Sequence, residues 1–143
     1  MTCWGLNVKQ ALGSARTTTG PEVVPGVHDA VELAMGHGSH ACARLANGSI
    51  KCWGENENAE VGIIENLAGE PEDGMVVPAE VPPVEVPGVA GAVALSVGAN
   101  HTCAWTAPTD LWCWGQRAYG AVDRVVALTP VAPERVDPSP AGD

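Results

Sequence analysis

Gly36-His37-Gly38-Ser39-His40-Ala41-Cys42-Ala43-Arg44-Leu45-Ala46-Asn47-Gly48-Ser49-Ile50-Lys51-Cys52-Trp53-Gly54 is the stretch on which the fold turns. Its middle, Arg44 to Ser49, reads as a hairpin whose Gly48 can take positive φ without a Cβ clash. Before it, Val31, Leu33 and Met35 alternate with Glu32 and Ala34, the period of a half-buried strand. The same pieces return downstream. His101-Thr102-Cys103-Ala104 repeats His40-Ala41-Cys42-Ala43 at an offset of 61, and Cys113-Trp114-Gly115 repeats Cys52-Trp53-Gly54 at that offset.

Working outward, Pro25-Gly26-Val27 and Ala30 to Gly36 match Pro87-Gly88-Val89 and Ala92 to Gly98 at an offset of 62, so one residue has been inserted between Gly36 and His40. A third Cys-Trp-Gly stands at Cys3-Trp4-Gly5, giving spacings of 49 and 61 between successive copies. Each copy has a related tail, Asn7 to Leu12-Gly13 and Asn56 to Val61-Gly62, with a decayed version at Arg117 to Asp123. The longer spacing holds an insertion between Gly54 and Pro87. A period near fifty residues is that of propeller blades.

Composition agrees with short strands and turns. The 143 residues include 17 Gly and 12 Pro, which long helices tolerate poorly, and five Trp with no Phe. A formal net charge of −10 argues against nucleic-acid or anionic-membrane binding, since both need a basic footprint. No apolar run of membrane-spanning length occurs, and Met1 to Gly5 shows no signal-peptide pattern.

The order Pro-Gly-Val, apolar strand, Gly-x-x-His-x-Cys-Ala, Cys-Trp-Gly-x-Asn and Leu-Gly resembles the RCC1 (regulator of chromosome condensation) repeat, in the cysteine-bearing form of bacterial secreted proteins. The resemblance covers nearly the whole chain. It implies an all-β fold: a partial β-propeller of four-stranded blades, about two complete with parts of flanking ones, where a full propeller has about seven. The expected division is 1–24, end of one blade and linker; 25–62, first complete unit; 63–86, acidic Pro-rich insertion or linker; 87–123, second complete unit; and 124–143, opening of a further repeat or a disordered tail.

The cysteines test this reading. If Ala46-Asn47-Gly48 is a three-residue loop, Leu45 opposes Ser49 and the fourth pair outward is Cys42 with Cys52. Opposed residues on neighbouring strands are close enough for a disulfide. Cys103 and Cys113 reproduce the spacing, so two intrablade bridges are expected, and with them an oxidising compartment: extracellular, periplasmic or cell-surface. Cys3 is left unpaired. Its partner would lie ten residues upstream, as if the chain were cut from a longer array, and the tail from Thr129 to Asp137 reads as the opening of another repeat.

Candidate chemistry is sparse. His37, His40 and Cys42 carry zinc-ligand types, but His40 and Cys42 recur as His101 and Cys103 and so belong to the blade. No metal, cofactor or catalytic residue is expected, because the Gly36–His40 loop lacks the Gly-x-Ser-x-Gly arrangement and no group stands ready to orient a base. Trp4, Trp53 and Trp114 recur, which favours core or interblade packing. Trp105 and Trp112 do not, since Arg44 and Lys51 hold the equivalent positions, and they are candidates for a contact surface, with the alternative that Trp105 covers a neighbouring blade. Residues 55–85 hold nine of the 17 acids and no Lys or Arg. Glu65, Glu70, Glu72 and Asp73 within them could meet a basic partner or calcium, or simply form a solvated linker.

The expected function is a non-catalytic protein-interaction module whose partner is a protein or further propeller blades, from its own longer chain or other subunits, with no nucleic acid and no membrane insertion. The rivals are a structural subunit of a self-assembling surface complex and a regulator of an enzyme. The resemblance brings in nucleotide-exchange factors and β-lactamase inhibitors, whose activities reside in loops particular to each.

Overall fold

The computed structural model describes residues 1–14, 20–63, 65–66, 75–76, 80–106, 110–116 and 130–136, with 65–66, 75–76 and 130–136 described by their backbone. The strands are β1 (Thr2–Cys3), β2 (Glu22–Val23), β3 (Ala30–Met35), β4 (His40–Leu45), β5 (Ile50–Glu55), β6 (Glu65–Asn66), β7 (Met75–Val76), β8 (Glu80–Glu85), β9 (Ala92–Val97), β10 (His101–Thr106), β11 (Asp110–Gln116) and β12 (Pro130–Val136). They form two four-stranded antiparallel sheets, β3-β4-β5-β8 and β9-β10-β11-β12, and two small pairs, β1-β2 and β6-β7.

Loop length sets the register of the central hairpin. The Leu45 amide donates to Ser49 at 2.9 Å, and Arg44 faces Ile50, Ala43 faces Lys51 and Cys42 faces Cys52. The second sheet repeats this with Cys103 opposite Cys113. The Cα atoms of the two cysteine pairs lie 4.1 and 4.2 Å apart, and both pairs are joined as disulfides.

The fourth strands show where proline enters. Between Cys52 and Gly54 the register of β5 against β8 slips by one residue, and β8 carries Pro82 and Pro83 there. Between Cys113 and Gly115 β12 slips the same way, around Pro133. A proline cannot donate to the ladder, so an outermost strand with a bulge is where it fits. The end of the 63–86 stretch thus supplies the outermost strand of the first four-stranded sheet, and residues 130–136 that of the second. Proline-rich sequence hid both strands.

The glycines of the repeated Cys-Trp-Gly sit at φ 101° (Gly54) and 104° (Gly115), where a side chain is strained. A Cβ there would also collide with the carbonyls of Ser39 and Asn100, so no other residue fits.

The core lies between blades. Cys42, Ile50, Cys52 and Val86 of the first blade are buried in one cluster with Val89, Ala92, Ala104 and Trp114 from the second. A second cluster holds Val24, Val27, Ala41, Ala43, Leu45 and Trp53, with Met1 and Cys3 packed on it. β1 and β2 pair as β5 and β8 do: Cys3 opposes Glu22 as Cys52 opposes Val84. The pair thus repeats the pairing of the outer two strands of the first sheet.

Candidate interaction site

Two places in the fold depart from simple repetition: the seam between the blades and the outward face of the second.

At the seam, the asparagine of each tail braces a loop. Asn56 accepts from the Val61 amide at 2.9 Å and donates to the Ile63 carbonyl at 3.0 Å. Asn7 does the same with Leu12 and Ser14, at 2.9 and 2.7 Å. Equivalent loop residues, Gln10 and Ala59, take φ near +60° (58° and 61°) in both copies. The braced loop points a carbonyl at the next blade, and a tryptophan receives it. Trp53 Nε1 donates to Ala11 at 3.0 Å, and Trp114 Nε1 donates to Glu60 at 2.8 Å.

Thr102, which replaces Ala41 of the first repeat, adds a polar link at the second seam. Its hydroxyl donates to the Glu60 carbonyl at 3.0 Å, leaving its oxygen to accept from His40 Nε2 at 3.0 Å. That assigns His40 the Nε2–H tautomer, with Nδ1 bare and unpartnered in the buried seam. Burial, and then the neighbouring His101, pull the His40 pKa from the usual 6.5 down to about 4. Burial also pushes the Glu60 carboxyl up, against the hydrogen bonds it accepts from Asn58. The two backbones meet closely here, since a Cβ on Gly36 would collide with the carbonyl of Gly98.

The outward face is different in kind. In the first blade Glu32 and Arg44 are cross-strand neighbours joined by an ion pair at 2.7 Å, and Glu32 also accepts from the Leu95 amide of the next blade at 3.4 Å. In the second blade the equivalent pair is Ala94 and Trp105. Beside this pair lies an open cleft of about 320 Å³ lined by Ala94, Leu95, Ser96, Cys103, Trp105 and Leu111. Trp105 is 41% exposed beside it.

The predicted residues divide accordingly. Cys42, Cys52, Cys103 and Cys113 are paired, and Cys3 is a half-buried free thiol. His40 is buried and His101 half-buried. Trp53 and Trp114 are buried, whereas Trp4 is 67% exposed. Trp105 and Trp112 do not share a surface: Trp112 packs with Ala104 against the seam, and Trp105 lies on the opposite side. Glu65 lies in the β6-β7 pair, and Glu70, Glu72 and Asp73 lie outside the described residues. Among the described residues no cluster of three or more His, Cys, Asp or Glu is arranged to hold a metal ion, and no helix is long and apolar enough to cross a membrane. Thr102, and Ala94 as the cross-strand neighbour of Trp105, escape a reading of repeats, because their meaning depends on which face each strand turns outward.

Residues 30–60 match the family described as the Regulator of chromosome condensation (RCC1) repeat, a span running from β3 through the braced loop. The chain is 32% identical over 105 residues to the Ultraviolet-B receptor UVR8 of Arabidopsis thaliana, covering 73% of this chain and 22% of that protein. Among solved structures, human WBSCR16 superposes with a TM-score of 0.69 at 15% identity, over 94% of this chain and 34% of that one. Prp20p of Saccharomyces cerevisiae, whose structure was described with its binding to Gsp1p and histones, gives 0.65 at 18% identity, over 97% of this chain and 35% of that one. The chain thus spans under a quarter of that curated relative and about a third of the solved propellers. Repeat match and fold together describe a partial β-propeller with RCC1-like repeats.

Proposed function

We propose that the chain is a non-catalytic protein-interaction module whose contact surface is the Trp105 face of the second blade. The observation that carries this is the exchange of the Glu32–Arg44 ion pair for Ala94 and Trp105, which leaves a half-exposed indole beside an apolar cleft. Exposed aromatics next to a cavity are the usual anchors of protein interfaces. The likeness to Prp20p supports protein binding as the class of activity. A formal charge of −10 favours a partner with a basic rim. The two disulfides support an oxidising setting, secreted or surface-exposed.

The test is affinity capture from the source organism by immobilised chain, run beside Trp105→Ala. A protein retained by the wild type and bound at least about tenfold more weakly by the variant is the expected result. No specific retention, or equal retention by both, overturns the reading.

A further inference from the structure

We propose that the redox state of the Cys42–Cys52 disulfide and the docking of the two blades are coupled. A reductant reaches this bond only when the second blade lifts away, and the reduced pair holds the seam less tightly. The coupling lies in the inner seam alone and is independent of what the Trp105 face binds.

The bond is sealed from both sides. Cys42 and Cys52 are fully buried, in one cluster with Ala92, Ala104 and Trp114 of the second blade. The Thr102 hydroxyl of that blade stands 3.9 Å from Cys42 Sγ. In the cluster on the other side of the sheet, Ala41, Ala43 and Trp53 are fully buried too. Polar bonds hold the second blade down: Trp114 and Thr102 both donate to the Glu60 carbonyl, and Thr102 accepts from His40. The chain between β8 and β9 is only residues 86–91. Within it Gly88 and Gly91 take φ of 79° and 70°, with no atom within 4 Å of where a Cβ would stand. A link of that kind absorbs a change of angle, so the seam can part while both sheets stay intact.

Reduction by a dithiol needs that parting. One thiolate of the dithiol attacks Sγ of Cys42 or Cys52, the S–S bond breaks, and the other cysteine leaves as a thiolate that takes up a proton. The second thiolate of the dithiol then displaces the mixed disulfide and closes a disulfide of its own. Two electrons and two protons thereby pass to the cysteines. Neither sulfur offers the attacking group a path while Trp114 and Thr102 are in place. The reverse influence follows from volume. Two thiols cannot lie as close as two bonded sulfurs, and a close-packed cluster has no room to give. Parting the seam relieves that crowding.

The experiment follows reduction of the intact chain by dithiothreitol at pH 7.5, with timed alkylation and peptide mass spectrometry assigning each modified cysteine. Trp114→Phe loosens the seam over the disulfide, and Trp53→Phe makes the same change on the opposite side of the same strand pair. Cys42 and Cys52 should be alkylated at least about tenfold faster than in wild type in Trp114→Phe, and within about twofold of wild type in Trp53→Phe. Equal acceleration in the two variants shows that the bond opens with the whole fold, and no acceleration in Trp114→Phe shows that the seam does not guard it. Either result overturns the proposal. Thr102→Val, which removes the hydroxyl and both its bonds at nearly constant volume, takes the place of Trp114→Phe should that variant not fold. A second arm uses Cys103→Ala with Cys113→Ala, which leaves Cys42–Cys52 as the one bridge, or the fully reduced wild type if that variant does not fold. Hydrogen exchange of the Trp114 indole N–H, read by NMR, should be at least about tenfold faster in the reduced than in the oxidised form. Unchanged exchange overturns the coupling.

Discussion

The indole N–H of Trp114 reaches across the seam to the carbonyl of Glu60 at 2.8 Å, and that carbonyl is held in place by a loop that Asn56 braces from inside. The repeat motif is thus half of a latch, completed by the neighbouring unit. Cys-Trp-Gly supplies the donor, and the Asn-to-Gly tail of the preceding copy supplies the acceptor.

Trp114→Phe keeps an aromatic ring but removes the donor and some buried volume. Glu60 keeps its bond from Thr102, so no carbonyl is orphaned, and the loss should be about 2 kcal/mol. Urea unfolding measures it. Trp105→Phe, on the exposed face, should change stability by less than about 0.5 kcal/mol.

Asn56→Ala removes both bracing bonds and strands the buried Val61 amide. The expected cost is about 2–3 kcal/mol. Because the latch carbonyl then drifts, the double variant with Trp114→Phe should cost less than the two separate effects added together. Strict additivity in a double-mutant cycle would show that the brace and the indole act separately.

Acid should loosen the seam. Unfolded His40 takes up a proton below pH 6.5, whereas the folded state refuses it until about pH 4. Its contribution is therefore complete above pH 6.5 and is lost as the pH falls from there through 4. Each pH unit of the gap is worth about 1.4 kcal/mol, hence about 3 kcal/mol at the limit. Glu60, with its carboxyl pushed up, works in the opposite sense as it neutralises. His40→Gln isolates the imidazole: its unfolding midpoint should move less between pH 7.5 and 4.5 than that of the wild type.

Intact mass after alkylation without reductant should show one modified thiol, at Cys3, and four cysteines protected. Burial raises the Cys3 pKa against the opposing pull of the N-terminal charge, so the thiolate is scarce and labelling should be slow at pH 7. Two or more labelled thiols in the folded protein would contradict the pairing.

Much of this was legible beforehand because turn length constrains register. A three-residue loop at Ala46–Gly48 puts Cys42 opposite Cys52 by counting alone. Counting also separates Trp105 from Trp112. With Trp105 opposite Leu111 and Ala104 opposite Trp112, the two indoles must leave the sheet on opposite sides. Proximity in sequence suggested a shared surface, and the period of two forbids it. β8 and β12 were hidden because proline argues for a linker until a bulge at a sheet edge gives it a place. Thr102 could not be found from one blade, since its partner His40 lies 62 residues away across the seam.

The prolines on β8 and β12 have one more effect. Each of those strands is the rim of its sheet, where unpaired amides and carbonyls invite a stranger's backbone to add itself. Pro82, Pro83 and Pro133 interrupt that row and bend it out of line, so the rims make poor templates for cross-β growth. Along these two strands, a crowded solution should therefore seed fibrils less readily than an uninterrupted rim would.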